Sequence, residues 1–480
     1  MKTSLILSAL LALVGSAVAA KPFLCYWEFW GVYRADPHKG TIDKIPVNLC
    51  THVIYSFVGL DENSNTVKPL DSERMDSDLR ALRALKQKNS ALKVIAAIGG
   101  WGEGAAKYSR LVSNTASIDK FVASVKDFVK KYELDGFDLD WEFPGATDRG
   151  GSPSDKANLI TLLKKLREAL PGKLLTIAVA GPQYRIDGGY DVPNIAKTVD
   201  YINVMSYDLR GPWDQATGNH VGLYGNGISV SQVMQAWRKA GAPANKLIMG
   251  FAFYGKSFTL QNPSNNGIGA PASAGQAGEV SQEGGTLFYY EICERISKRG
   301  WKRVFDDATK GPYAFGENQW VGYEDVEGIK HKTDLINKEG FAGAMVWAIE
   351  LDDQSGVCGG GKFPLANAVS KGLGGNSDDG KDEDDDEDED VVTPSPKPDP
   401  TTACPQPKPT PNPNPGPTPD CSSGEEYIPH ASQCSRYIRC VNGQPIEMPC
   451  PPGLIFDYNL KVCNWPDSVN PKLPAGCQDA

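Results

Sequence analysis

The residues Asp135-Gly136-Phe137-Asp138-Leu139-Asp140-Trp141-Glu142-Phe143-Pro144 alternate large apolar side chains with acids. Successive side chains of a strand point to opposite faces. Read as a strand over Gly136 to Glu142, the segment turns Phe137, Leu139 and Trp141 to one side and Asp138, Asp140 and Glu142 to the other. The apolar partners need a packed layer, so a solvated acidic strand does not explain the pattern. Three neighbouring inward carboxylates oppose one another's ionisation through lost solvation and like-charge repulsion. At least one is expected to keep its proton near neutral pH, as a general acid does.

Runs of the same apolar character recur at Phe23 to Trp27, His52 to Phe57, Lys93 to Ile98, Leu175 to Ala180, Tyr201 to Ser206, Leu247 to Phe253 and Gly343 to Ala348. Amphipathic stretches such as Asp78 to Gln87, Ile118 to Tyr132 and Asp155 to Leu170 lie between them. Eight near-continuous apolar strands alternating with helices predict an α/β fold, a parallel (β/α)8 TIM barrel, with an open doubly wound sheet as the alternative. Glu142 then falls at the C-terminal end of the fourth strand, where barrels place their chemistry. About ninety residues separate Phe253 from Gly343, where a strand-to-strand unit needs about thirty. The excess predicts an inserted α+β subdomain over about 255–340, raising one wall of the mouth into a groove.

The chain has 480 residues and a formal charge of -10. Eleven acids and one lysine between Asp378 and Asp390 account for all of that charge. The remainder is neutral, and no basic patch or polybasic segment points to nucleic acid or a membrane surface. Lys2, the apolar stretch Leu5 to Val14 and the small residues Ala17-Val18-Ala19-Ala20 read as a secretory signal peptide over 1–20. A secreted, extracellular protein is therefore expected. Composition changes near Leu373: 374–420 is acidic, then rich in Pro and Thr, and reads as a linker between a barrel domain over 21–373 and a unit over 421–480. His38, His52, His220, His331 and His430 are scattered without ligand spacing, so no metal is expected, oxygen-only Ca²⁺ or Mg²⁺ binding being the alternative. No cofactor is expected either, and a monomer is.

The decapeptide around Glu142 resembles the signature of glycoside hydrolase family 18 chitinases. Lys93 to Trp101, Asn203 to Asp208, Gly250 to Phe258 and Gly343 to Asp353 are similar to further blocks of that family, in its order. The resemblance spans about Pro22 to Gly372 and implies a chitinase in which Glu142 protonates the glycosidic oxygen. The substrate's own 2-acetamido oxygen would attack the anomeric carbon, with retention, an exception to the two-carboxylate scheme. By the same resemblance Asp140 orients the acetamide N–H, Asp138 shares a proton with Asp140, and Tyr207 holds the acetamide oxygen. Met205 and Asp208 would line that pocket, and Trp347 would lie under the sugar at the cleavage point. Tyr26, Phe57, Trp101 and Tyr254 are further platform candidates by motif position, with Trp30 and Trp213 weighed equally against core packing. Gly99 and Gly100 would let backbone approach substrate, a plain tight turn being equally consistent. Phe143 stands beside the acid where the family often has tyrosine, Lys256 replaces a frequent arginine, and Gly102 a frequent asparagine.

Of the eleven cysteines, Cys25, Cys50, Cys293 and Cys358 fall in the barrel region. The resemblance implies the pairs Cys25–Cys50 and Cys293–Cys358. Cys421, Cys434, Cys440, Cys450, Cys463 and Cys477 crowd into a short stretch, as in a disulfide scaffold with fifteen open connectivities. Cys434 to Tyr437, Gly453 to Tyr458 and Cys463-Asn464-Trp465 resemble the peritrophin-A type of chitin-binding module, carbohydrate-binding module family 14. That likeness implies chitin binding, platforms at Tyr437, Phe456 and Trp465, and the pairs Cys421–Cys440, Cys434–Cys477 and Cys450–Cys463. Ile438 sits where relatives often carry an aromatic. Cys404 is left over in the linker. The expected partner is chitin polymer and its oligomers. A non-catalytic chitin-binding lectin on the same barrel is the alternative, although such relatives typically lose the acid.

Overall fold

Each apolar run carries two sets of side chains, and the fold buries both. The computed structural model describes residues 20–225, 227–376 and, further on, 427–429, 436–441, 444–450, 455–457 and 462–464. In β1 (Phe23–Glu28), Phe23, Cys25 and Trp27 join the outer core under the helices, while Leu24 and Tyr26 point inside. The same parity holds in β2 (His52–Asp61), with Val53 and Tyr55 outside and Ile54 inside. In β3 (Lys93–Gly99), Ile95 and Ala97 face inward. β4 (Gly136–Asp140) puts Phe137 and Leu139 in the outer core, followed by Trp141. β5 (Leu174–Ala180), β6 (Tyr201–Met205), β7 (Leu247–Ala252) and β8 (Gly343–Trp347) complete the set.

All eight strands pair in parallel in the order β1-β8-β7-β6-β5-β4-β3-β2, and β1 pairs β2 to close the barrel. The open-sheet alternative is thereby excluded. Helices cover the outside. The helix Thr115–Lys131 is typical: Asn114 caps it by accepting from the amides of Ala116 and Ser117. Its Ile118, Phe121, Val122, Val125, Phe128 and Val129 form a buried stripe at helical spacing.

The insertion is an antiparallel sheet built from Tyr254–Leu260, Ala272–Ala274, Thr286–Phe288, Lys302–Asp306, Gly311–Gly316 and Gln319–Gly322, with the helix Tyr289–Arg299 packed on it. It is shorter than the 255–340 read from the sequence. The helix Val326–Glu339 sends Ile329, Leu335 and Ile336 into the main barrel core, so it belongs to the outer helix ring. A length excess reveals an insertion but not which of its helices the barrel keeps. Disulfides join Cys25 to Cys50 and Cys293 to Cys358, the second tying the insertion's helix to the loop after β8.

The chain divides into two compact units, Met1–Glu383 and Asp384–Ala480. In the second, Tyr427–Pro429, Arg436–Val441 and Gln444–Pro449 form a three-stranded antiparallel sheet, and Ile455–Asp457 pairs with Val462–Asn464. Residues 1–19 of the segment 1–20 read as a signal peptide, and residues 377–420 of the expected linker 374–420 with Cys404 among them, lie outside the described residues. Among the described residues no helix is long and apolar enough to cross a membrane.

Candidate active site

Strand parity brings the acids into the barrel, and the neighbouring strands supply their partners. Asp138 is fully buried; its Oδ2 accepts from the Tyr26 hydroxyl at 2.9 Å and its Oδ1 from Asn203 Nδ2 at 3.2 Å and from the Thr176 hydroxyl. Asn203 Nδ2 also donates to Tyr26 Oη at 2.9 Å. Burial raises the Asp138 pKa to about 6, with these three hydrogen bonds pulling the other way. Asp140 is also buried, and burial followed by repulsion from Glu142 and Asp138 pushes its carboxyl well up. Its Oδ1 is buried without a hydrogen-bond partner among the described residues. An acceptor in that state is costly unless a donor arrives from outside.

Glu142 lies past the end of β4 and is partly buried. Burial raises its pKa to about 7, Arg149 drawing it down and Asp208 pushing it up. The trio thus places a carboxyl that still holds part of its proton near neutral pH next to an acceptor without a donor.

Around the acids the predicted residues divide into rings that keep some exposure and side chains that support others. Trp347 is partly buried and stacks on Phe57, with centroids 5.3 Å apart, and contacts Trp30 at 6.2 Å and Tyr26 at 5.8 Å. The Tyr207 hydroxyl lies 4.0 Å from Met345 Sδ, and no nearer acceptor holds it among the described residues. Met205 is partly buried beside it in the inner cluster. Asp208 accepts from the Tyr254 hydroxyl at 2.8 Å and lies 3.5 Å from Lys256 Nζ. Burial opposes its charge, but Lys256, with the Tyr254 hydroxyl, brings its pKa to about 2. Trp101 and Trp213 are exposed. Phe143 is partly buried beside Arg185.

Two residues read as sugar platforms take other positions. Tyr26 is 2% exposed, with its hydroxyl spent on Asp138, so it holds the carboxylate instead of offering a face. Tyr254 is 7% exposed and directs its hydroxyl to Asp208. Motif position marks a residue as near the site; only burial separates a platform from its support.

Gly99 and Gly100 make a close backbone approach, but to the protein itself. A Cβ at Gly99 would stand 2.0 Å from the Asp140 carbonyl oxygen, and one at Gly100 2.3 Å from the Phe57 ring. Gly99 also has a φ of 119°, which L side chains rarely adopt. Gly99→Ala should therefore cost at least about 2 kcal/mol, seen as a fall in Tm by calorimetry. An unchanged Tm would mean that β3 and β4 part easily at this point.

In the C-terminal unit, Tyr437 stacks on Phe456 with centroids 3.9 Å apart. Phe456 is 2% exposed and Ile438 3%. Phe456 therefore backs Tyr437 from within the small core and is not itself a surface platform. Cys450 is disulfide-bonded; Trp465 and the side chains of Cys421, Cys434, Cys440, Cys463 and Cys477 lie outside the described set. The one cluster of metal-type side chains among the described residues is Cys293, Asp353 and Cys358, and its cysteines are joined to each other.

Sequence reasoning did not single out Thr176, Asn203, Arg149 or His220. Thr176 pairs with Asp138 across β4 and β5, and Asn203 with Ala178 across β5 and β6. Parity puts both inside once register is known, and a polar residue in an otherwise apolar run was the available signal. Arg149 donates from Nε to the Glu142 carbonyl at 2.7 Å, a contact with no sequence signature. His220 accepts the Asp208 amide at Nδ1, 3.3 Å away, and burial lowers its pKa, which keeps it neutral.

Residues 22–352 match the model of the family described as glycosyl hydrolases family 18, and residues 421–471 match the chitin binding peritrophin-A domain. An endochitinase of Manduca sexta is 37% identical, over 93% of this chain and 94% of that protein. The Group IV chitinase of Ostrinia furnacalis superposes with a TM-score of 0.71 at 36% identity, over 74% of this chain and 99% of that one. Human YKL-39, described as a pseudo-chitinase with retained chitooligosaccharide binding, superposes with a TM-score of 0.69 at 32% identity, over 74% of this chain and 100% of that one.

Proposed function

The chain belongs to glycosyl hydrolase family 18, and from that premise we propose that it is a secreted chitinase whose acid is Glu142. It cuts β-1,4 bonds between N-acetylglucosamine units by retaining, substrate-assisted catalysis. The observation that carries the reading is the buried Asp140 Oδ1 without a partner, next to a carboxyl whose pKa is raised to about 7. An acetamide N–H supplies the donor that Asp140 lacks. So held, the acetamide oxygen bonds to the anomeric carbon as the glycosidic C–O bond breaks and Glu142 gives its proton to the leaving oxygen. The Tyr207 hydroxyl steadies the acetamide oxygen. Water then opens the oxazolinium ion while the Glu142 carboxylate takes back a proton, and the anomer is retained. Asp138, fixed by Tyr26, Asn203 and Thr176, shares a proton with Asp140 and adjusts its charge between the two steps.

Residues 421–471 act as a chitin-binding module, and 374–420 serve as its linker. Tethering raises the local concentration of the barrel on an insoluble polymer. Secretion rests on the leader pattern at 1–20 and suits the disulfides.

The test is turnover of a chitin oligomer with products resolved by anomer and by pH. Newly formed β-anomer is expected. Because the acid must be protonated, kcat/KM should fall about tenfold per pH unit once pH rises above about 7. Binding without cleavage would replace this reading with the lectin one; α-anomer products would exclude substrate assistance.

A further inference from the structure

Glu28 ends β1, and Glu350 lies in the turn Ile349–Leu351 that follows β8. Both are buried, at 4% and 3% exposure, and the cation that faces them is Arg34, whose side chain is 9% exposed. No step of the chitinase mechanism uses these three groups. Between Glu28 and Arg34 the chain forms the turn Phe29–Tyr33, which carries Trp30. Trp347 ends β8, just before the Glu350 turn, and its ring centroid stands 6.2 Å from that of Trp30.

We propose that Arg34 is a positioning residue for sugar binding: through Glu28 and Glu350 it locks the Trp30 turn to the Trp347 turn and seats both against the inserted sheet. The inference rests on the reading of this cleft as a chitin site. The Glu28 amide donates to Glu350 Oε1 at 3.1 Å, which joins the end of β1 to the turn after β8. Arg34 Nη2 donates to Glu28 Oε2, and its Nη1 lies 3.6 Å from Glu350 Oε1. A guanidinium carries its donors in a planar fork, so one side chain sets the spacing of both carboxyls. The same guanidinium stands 4.8 Å from the ring of Phe288 in the inserted sheet, and Tyr290, on the helix that follows, stacks on His38 at 4.1 Å. Little room is left for the turns to slide. A Cβ at Gly40 would stand 2.7 Å from Glu350 Cγ, and one at Gly31 3.1 Å from Arg34 Nη1.

Arg34 brings one charge to two carboxyls. Burial, then repulsion by Glu28, push the Glu350 carboxyl well up, against the pull of Arg34. Glu350 is thus the neutral member near neutral pH, and an amide of the same shape can take its place. Removing the guanidinium unpins both turns at once. The two rings must then be ordered by the sugar itself, at a cost in affinity. Glu142 follows β4, which pairs with β3 and β5 and with neither β1 nor β8, so the acid keeps its place. Binding should weaken more than the chemical step.

The experiment measures kcat and KM on a chitin hexamer, together with Tm, in the full chain. Arg34→Met should raise KM about tenfold while kcat falls no more than about threefold. Glu350→Ala should raise KM likewise, and Glu350→Gln should bring it back to within about twofold of the parent. Tm falls in Arg34→Met whatever its role, because a buried ion pair loses one member. A merely structural role, however, lowers the share of active molecules and with it the apparent kcat, and leaves KM unmoved. A KM rise below about threefold in Arg34→Met overturns the proposal, as does a Glu350→Gln that behaves like Glu350→Ala. Should Arg34→Met not fold, Arg34→Lys, which keeps the charge but lacks the fork, decides by the same limit. If the parent binds the hexamer without cutting it, the chitinase reading fails by itself, and the dissociation constant from calorimetry takes the place of KM. A parent that neither binds nor cuts removes the chitin reading and this proposal with it.

Discussion

Glu142→Gln is expected to lower kcat on chitin oligomers by about 10³-fold or more, within the range supplied by a positioned general acid. Their dissociation constant should stay within about threefold of the parent value. The amide has the shape of the protonated carboxyl but cannot give up a proton to a leaving alkoxide. The carboxylate makes no hydrogen bond to another described residue, since the contact from Arg149 goes to the Glu142 backbone carbonyl. The fold therefore loses nothing it uses, and the stacked rings of Phe57 and Trp347 stay in place. Single-turnover hydrolysis and titration calorimetry on the same preparation separate the two quantities. A variant that kept more than about a tenth of the parent rate would remove Glu142 from the role of acid.

Asp140→Asn should cost about 10²-fold in kcat, the scale of a misplaced reacting group. Asp140 Oδ1 is a buried acceptor without a partner among the described residues; in the proposed mechanism it takes the acetamide N–H, and an amide nitrogen there meets that N–H donor to donor. Burial, Arg149 and Asp208 set the Glu142 pKa, while burial and the neighbouring carboxylates keep Asp140 protonated as Glu142 ionises. The alkaline limb of kcat/KM should therefore stay in place while the rate falls. A limb that moved to lower pH would mean that Asp140 carries charge while Glu142 titrates. An unchanged rate would take Asp140 out of the chemistry.

The sequence by itself determined the barrel and the direction of its acids. Alternation over Gly136 to Glu142 and the apolar character of the other seven runs are local properties, and a strand's two-residue period turns them into inside and outside without knowledge of partners. The second sheet after β7 was legible as a length excess, and its end was not, because Val326–Glu339 joins the barrel core through contacts with other parts of the chain. The roles within the site were decided by tertiary structure. Tyr26 and Trp347 are both platform candidates by the resemblance, yet one is spent on Asp138 and the other stacks on Phe57, partly exposed. Asp138 draws its partners from β1, β5 and β6, which are far apart in sequence and meet only because the barrel closes. Gly99 owes its identity to the carbonyl of Asp140 on the neighbouring strand. Such choices depend on register and closure, which the period of a single strand does not encode. The order of acids along one strand was thus written locally, while the hydrogen bonds that hold Asp138 and the exposure of each ring arise from distant strands brought within reach.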